Sequence, residues 1–103
     1  MEAAAARFTG LWNNRALDLE YTEDDMNKLG YKYLGEDRIE EALLVFKLNV
    51  DAFPQSWNVY DSYGEALMKN GEAEAAIESY QKSIELNPEN EGGKKILEEL
   101  KLK

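Results

Sequence analysis

The sequence predicts an all-α fold of antiparallel helix pairs, and two observations support this expectation. First, the chain of 103 residues overlays itself when it is shifted by 34 positions, which pairs Gly30 with Gly64, Ala42 with Ala76, Phe46 with Tyr80, and Pro54 with Pro88. A fixed period of this size is typical of repeat proteins built from small supersecondary units. Second, apolar residues recur at intervals of three and four, which is helical spacing. We find no segment with the alternation of a strand.

Residues 1–20 are expected to form an N-terminal helix, although Gly10 and the asparagines after it weaken it. Its apolar stripe consists of Phe8, Leu11, Trp12, Ala16 and Leu19. A helix with one apolar face has to bury that face, and the following repeat is the nearest surface. We therefore expect a packing helix, and the alternative is a helix used for self-association or for docking a partner.

Residues 23–56 form the first predicted unit. Thr22 is the expected N-cap of its first helix, because its hydroxyl can accept from a backbone amide three residues later. The inward stripe of that helix comprises Met26, Leu29, Gly30 and Tyr33. Gly35 is expected to end this helix and Glu36–Asp37 to open the next, whose inward residues are Ile39, Ala42, Leu43, Phe46 and Val50. Pro54 ends the unit, since proline disfavours helix in the residue before it.

Residues 57–90 repeat this pattern, and residues 91–103 follow as a capping helix. The second unit begins near Ser56 and turns at Asn70–Gly71, a favourable helix end. Its inward residues are Tyr60, Tyr63, Gly64 and Leu67 on the first helix and Ala73, Ala76, Ile77, Tyr80 and Ile84 on the second. The last helix carries Ile96, Leu97 and Leu100 on one side and charges on the other, which suits the end of a stack.

Composition excludes several classes of function. The chain has 21 acidic and 12 basic residues and a formal charge of −9, which disfavours binding to nucleic acid or to anionic membranes. No apolar run is long enough for membrane insertion. Histidine and cysteine are both missing, which removes the commonest general base, the commonest metal ligand and all thiol chemistry. We expect no cofactor and no metal.

The repeat resembles the tetratricopeptide repeat, whose pattern places a Leu-Gly-Tyr core in one helix, then Ala-x3-Phe, then Pro. The matching residues are Met26, Leu29, Gly30, Tyr33, Ala42, Phe46 and Pro54, and then Tyr60, Tyr63, Gly64, Leu67, Ala76, Tyr80 and Pro88. This resemblance implies a right-handed α-solenoid that binds proteins. Asn49 and Ser83 depart from the pattern, where a small residue usually stands. We expect Asn49 to be partly buried and bonded to backbone groups of residues 56–58.

A narrower resemblance lies between Phe46 and Glu65. This stretch is similar to the C-terminal repeat module of many bacterial serine hydrolases, both β-lactamase-like enzymes and α/β-hydrolase esterases. The resemblance implies an accessory domain detached from a catalytic neighbour, with a periplasmic or exported location; otherwise the chain is expected to be cytoplasmic.

One short motif points to catalysis and is rejected. Ser79 and Lys82 spell Ser-x-x-Lys, the nucleophile motif of the β-lactamase group. Tyr80 between them is an inward residue of a repeat helix, and the other motifs of that machinery are missing. We interpret Ser79 and Lys82 as solvated residues on a helix face, and we expect the chain not to be an enzyme.

The candidate site is a peptide groove on the first helix of each unit. The resemblance places the concave face on these helices, and the outward residues are Asp24, Asn27, Tyr31 and Leu34, followed by Asn58, Asp61, Glu65 and Met68. Grooves of this family that clamp chaperone carboxylates use Lys and Asn there, whereas this chain carries acids. A neutral or basic extended peptide is therefore the expected ligand. Packing on a tethered hydrolase domain, homodimerisation and a purely structural role are the alternatives.

Overall fold

A computed structural model describes residues 22–102 of the chain. These residues form five helices, α1 (Glu23–Gly35), α2 (Ile39–Ala52), α3 (Trp57–Lys69), α4 (Ala73–Leu86) and α5 (Glu91–Lys101). Each helix packs on the next, and α1 also contacts α3. The all-α repeat fold predicted from the period is confirmed. The predicted N-terminal helix lies outside the described residues.

The N-terminus of α1 is capped as the sequence predicts. The Thr22 side chain accepts from the Asp25 backbone amide at 3.1 Å, and the Asp25 carboxylate accepts from the Thr22 amide at 3.2 Å. This reciprocal pair satisfies two backbone donors that the first turn of a helix leaves without intrahelical partners. Three acidic residues in this turn also interact favourably with the positive end of the helix dipole.

The turn between the two helices of each unit has the same backbone in both. Asp37 has φ of 61° and Gly71 has φ of 78°, and these residues are 34 positions apart. The residue after each donates to a carbonyl five positions back, Arg38 to Tyr33 and Glu72 to Leu67, both at 2.9 Å. The prediction that Glu36–Asp37 opens α2 is wrong, because a left-handed residue cannot continue a right-handed helix. The helix starts at Ile39 instead.

Two apolar clusters form the core, and each includes the central aromatic ring of one unit. The first contains Leu34, Ala42 and Phe46 from the first unit and Ala66 from the second. A Cβ atom on Gly30 would overlap the Phe46 ring, so glycine is what allows α1 and α2 to approach closely. This cluster therefore ties the two units together as well as closing the first one.

The second cluster is capped by the last helix. It contains Leu67, Ala76, Tyr80 and Leu100, with Ile96 and Leu97 packed against it. Gly64 again faces the aromatic ring, since a Cβ atom there would lie 2.9 Å from Cε2 of Tyr80. The apolar side of α5 thus lies against the second cluster.

Candidate functional site

The predicted groove residues lie on α1 and α3, and hydrogen bonds between the units hold these helices side by side. Ser62 Oγ donates to Asn27 Oδ1 at 2.5 Å, and Tyr31 Oη donates to Glu65 Oε1 at 2.9 Å. At the start of both helices, Ser56 Oγ donates to Glu23 Oε2 at 2.7 Å. The structure therefore brings Asn27, Tyr31 and Glu65 together on a polar seam.

Tyr31 is anchored at both ends of its side chain. Its ring packs edge-on against Phe46 with centroids 5.1 Å apart, and its hydroxyl reaches Glu65 across the seam. Burial raises the pKa of Tyr31 to about 12, and the bond to Glu65 acts in the same direction while the Ser62 hydroxyl opposes it. Tyr31 is thus a neutral donor at physiological pH that fixes one oxygen of Glu65.

Asp61 and Glu65 form an acidic pair on α3 that has no cationic partner within residues 22–102. Asn90 Nδ2 donates to Asp61 Oδ1 at 3.2 Å, but no ion pair among these residues involves either carboxylate. Burial raises the pKa of Asp61; the bond from Asn90 opposes this rise and the charge of Glu65 adds to it. The half-buried pair is therefore a site of negative charge that no cation within residues 22–102 offsets.

Leu34 does not belong to the groove, contrary to the sequence prediction. Only 7% of its surface is exposed, and it lies in the first core cluster. The reason is that α3 covers this end of α1, placing Ala66 in the same cluster. The equivalent residue of the second unit, Met68, is 38% exposed.

The other predicted residues are accessible to different degrees. Asn58 is half-buried near the start of α3. Asp24 is exposed and forms an ion pair with Lys28 at 3.0 Å, so its charge is offset within α1. Both residues flank the seam, and the acidic centre of the surface is on α3.

Trp57 is a surface residue that the sequence prediction missed. It is 37% exposed at the first position of α3. Residues 57, 61, 65 and 68 are spaced by four, four and three, which places them on one helix face. The spacing of Trp57 to the predicted groove residues is the signal that could have placed it on this face.

Asn49 is buried, as expected, but with a different partner. None of its surface is exposed, and Nδ2 donates to the backbone oxygen of Glu23 at 3.1 Å rather than to residues 56–58. Its Oδ1 is buried without a hydrogen-bond partner among the described residues. Position 49 therefore joins α2 to the first turn of α1.

A separate cleft of about 300 Å³ is lined by residues of α2, α3 and α4. Its lining includes Lys47, Tyr60, Tyr63, Ser79 and Lys82. Ser79 is buried rather than solvated as predicted, and its hydroxyl donates to the Tyr60 backbone oxygen at 2.6 Å. The proton of Ser79 is thus committed to a structural bond, which does not suit a nucleophile. No cluster of potential metal ligands occurs among the described residues.

The five helices described above form a helical-repeat fold. Proteins of this class use the exposed faces of their stacked helices as extended binding surfaces. Residues 57–90 match the family model described as Tetratricopeptide repeat. The match spans the second predicted unit, and repeats of this family generally mediate protein–protein interaction. A search of curated proteins found no match. None of the helices between residues 22 and 102 is long and apolar enough to cross a membrane.

Proposed function

We propose that this chain is a non-enzymatic interaction module that binds a neutral or basic peptide segment on the surface of α1 and α3. The observation that carries the proposal is the acidic pair Asp61 and Glu65, which is half-buried and has no cationic partner within residues 22–102. A Lys or Arg side chain of a ligand would offset both charges, while an acidic ligand would be repelled. The match of residues 57–90 to a family of interaction repeats supports the same conclusion.

The seam supplies the neutral part of the surface. Asn27 and Tyr31 each use part of their bonding capacity across the units and keep the rest for a ligand. Because both are fixed by these bonds, little side-chain entropy is lost when a peptide lands on them. A backbone amide or carbonyl of an extended segment suits such groups.

The test is a titration of the ¹⁵N-labelled chain with a Lys-rich peptide and with a Glu-rich peptide of equal length. We expect amide shifts on α1 and α3 with the basic peptide only. The double variant Asp61→Asn with Glu65→Gln removes the charges but keeps the oxygens that accept from Asn90 and Tyr31, so the fold is retained and affinity falls about tenfold. Acidification should weaken binding at a higher pH than for an ordinary aspartate, because burial raises the pKa of Asp61.

The matched control is Glu40→Gln with Glu74→Gln, which makes the same change in net charge at exposed sites on α2 and α4. Equal losses for the two double variants would mean that the basic peptide responds only to total charge. Shifts confined to α2 and α4 would place the binding surface elsewhere. Either result counts against the proposal.

The hydrolase resemblance supports a second candidate, in which the same surface packs on a catalytic domain. A homodimer would have to use another surface, because the acidic pairs of two copies repel each other. Trp57 favours the second candidate, since this residue belongs both to the resembling stretch and to the exposed face of α3. A coding frame that continues upstream into a Ser-x-x-Lys or Gly-x-Ser-x-Gly domain would support the tethered arrangement. Light scattering of the isolated chain separates the monomer from the dimer.

A further inference from the structure

The exposed face of α3 combines apolar and acidic groups in a regular order. Trp57, Asp61, Glu65 and Met68 fall within a sector of about 80° at 3.6 residues per turn. From Trp57 to Met68 the axis advances about 16 Å at 1.5 Å per residue. The two apolar side chains therefore stand at the ends of this strip, and the two carboxylates stand between them.

The apolar ends are unusual for this chain. Residues 22–102 contain three exposed large hydrophobic side chains, and two of them are Trp57 and Met68. The corresponding positions of α1 are Glu23, which accepts from Ser56, and Leu34, which is buried. The strip is therefore a property of the second unit and not of the repeat pattern as such.

The charges between the ends distinguish among possible occupants. A second copy docked by a twofold axis on this face would bring Asp61 and Glu65 against the same two carboxylates, in a chain of net charge −9. An anionic ligand meets the same repulsion. A cationic segment is attracted, and apolar residues on both sides of its charges would cover Trp57 and Met68.

We propose that the α3 strip binds a basic segment in which two lysines or arginines are enclosed by one apolar residue on each side. This inference rests on the proposed function and deepens it, by naming the pattern of the ligand and by giving Trp57 and Met68 the role of anchors. Side chains of an extended peptide alternate between its two faces, and alternate residues on one face are about 6.6 Å apart, close to the steps of about 5–6 Å along the strip. An apolar residue, two basic residues and a second apolar residue at alternate positions therefore span the strip. Asn27 and Tyr31 then contact the edge of the segment and are not its main recognition groups.

The probe is a fluorescein-labelled peptide with the core Leu-Ser-Lys-Ser-Lys-Ser-Leu between Gly-Ser flanks, measured by fluorescence anisotropy. Two comparison peptides replace both lysines by Glu or both leucines by Ser. We expect binding of the parent, at least tenfold weaker binding of the Ser peptide, and no binding of the Glu peptide. The single variants Trp57→Ala and Met68→Ala should each weaken the parent about tenfold. The control Leu102→Ala, which removes an exposed apolar side chain at the end of α5, should leave affinity unchanged.

Three outcomes overturn the inference: no binding of the parent, equal binding of the parent and the Ser peptide, or full affinity in both the Trp57 and Met68 variants. Circular dichroism melting of each variant guards against loss of fold. The inference about Trp57 and Met68 can fail while the Lys-rich peptide still shifts amides of α1 and α3 and this binding still requires Asp61 and Glu65. In that case the proposed function is retained, and Trp57 and Met68 are not part of the binding surface. If neither peptide shifts these helices, both fail.

Discussion

The two repeat units make the same hydrogen bond with different side chains. In the first unit Asn49 donates to the backbone oxygen of Glu23 at 3.1 Å, and in the second Ser83 donates to that of Trp57 at 2.9 Å. Donors and acceptors are both 34 positions apart. The shorter serine leaves room beside it for Asn90, which donates to Ser83 Oγ at 3.0 Å. The same hydrogen bond thus occurs at equivalent positions of both repeats, whereas the side chains beside it differ between the units.

The units differ in what covers the outward face of their first helix. On α1 this face is bound by α3, which buries Leu34 and engages Tyr31. On α3 the equivalent face keeps Met68 exposed and the acidic pair without cations among the described residues. Equivalent positions therefore differ in burial, and the position of a unit in the stack decides whether this face of its first helix is covered. The following substitutions test how far the equivalence of the units extends.

The largest effect is expected from removing the central aromatic ring of either unit. Phe46 and Tyr80 are 0% and 1% exposed, and truncating such a ring costs about 3–5 kcal/mol. Because domains of this kind are stable by only about 5–15 kcal/mol, Phe46→Ala should leave the chain barely folded. Phe46→Ala should also loosen the contact between units, since its cluster includes Ala66.

Urea unfolding followed by circular dichroism measures both variants, with Phe46→Leu as the milder control. Tyr80→Ala should unfold the cap first, because its cluster includes Leu100 of α5. A loss below about 1 kcal/mol for either ring would show that the core is not organised around it.

The second-largest effect is expected at Gly30 and Gly64, the glycines at which the paired helices approach closely. Alanine favours a helix by about 1 kcal/mol over glycine, but overpacking costs about 1–3 kcal/mol. A Cβ atom would overlap the Phe46 ring at Gly30, whereas at Gly64 it would lie 2.9 Å from the edge of the Tyr80 ring. Gly30→Ala should therefore destabilise clearly more than Gly64→Ala, as shown by thermal melting. A reversed order would mean that the second unit is the tighter one.

Exchanging the buried polar residues is the third test. Asn49 leaves its Oδ1 without a partner among the described residues, which costs about 1–3 kcal/mol, so Asn49→Ser should be close to neutral despite its smaller volume. Ser83→Asn has no such compensation, because Asn90 already occupies the space beside Ser83. It should destabilise by about 1–3 kcal/mol.

Asn49→Ala is the control, since it removes the bond to Glu23 altogether. Chemical unfolding of the three variants gives the comparison directly. If Asn49→Ser is as harmful as Asn49→Ala, the hydrogen bond is not equivalent in the two units.

The sequence predicted those features that depend on the repeat register, such as the glycine and aromatic pairs and the helix end at Asn70. It missed a second buried face of α3, formed by Val59, Ser62 and Ala66. Helical periodicity identifies which side of a helix is apolar, but α3 packs on both its own unit and the previous one. Ser62 is small and polar, and it can be buried there because its hydroxyl donates a hydrogen bond to Asn27.

The candidate site was predictable in part for the same reason. Asp61 and Glu65 were recognisable as outward residues from their spacing alone. The burial of Leu34 and the exposure of Trp57 depend on which helix lies next to each, and that information is not local in the chain. Periodicity in the sequence therefore shows which face of a helix is apolar. Which element covers the other faces depends on the tertiary packing.

The smallest effect concerns the turns, where the two units have the same backbone but different residues. Asp37 and Gly71 both adopt positive φ, at 61° and 78°, and a non-glycine residue is strained there although Asp tolerates it better than most. Asp37→Gly relieves this strain and loses some of the gain to the greater freedom of the unfolded chain. The net change should be a stabilisation of about 0.5 kcal/mol. Gly71→Asp should destabilise by a similar amount and Gly71→Ala by more, about 1 kcal/mol.

Position 37 is either strained by its positive φ or stabilised by its carboxylate. Thermal melting at neutral pH distinguishes these explanations, with Asp37→Ala as the control for loss of the carboxylate. Strain predicts that Asp37→Ala is worse than wild type while Asp37→Gly is better. If Asp37→Gly also destabilises, the carboxylate itself contributes to the first turn. The two turns would then share a backbone conformation that each unit stabilises by different means.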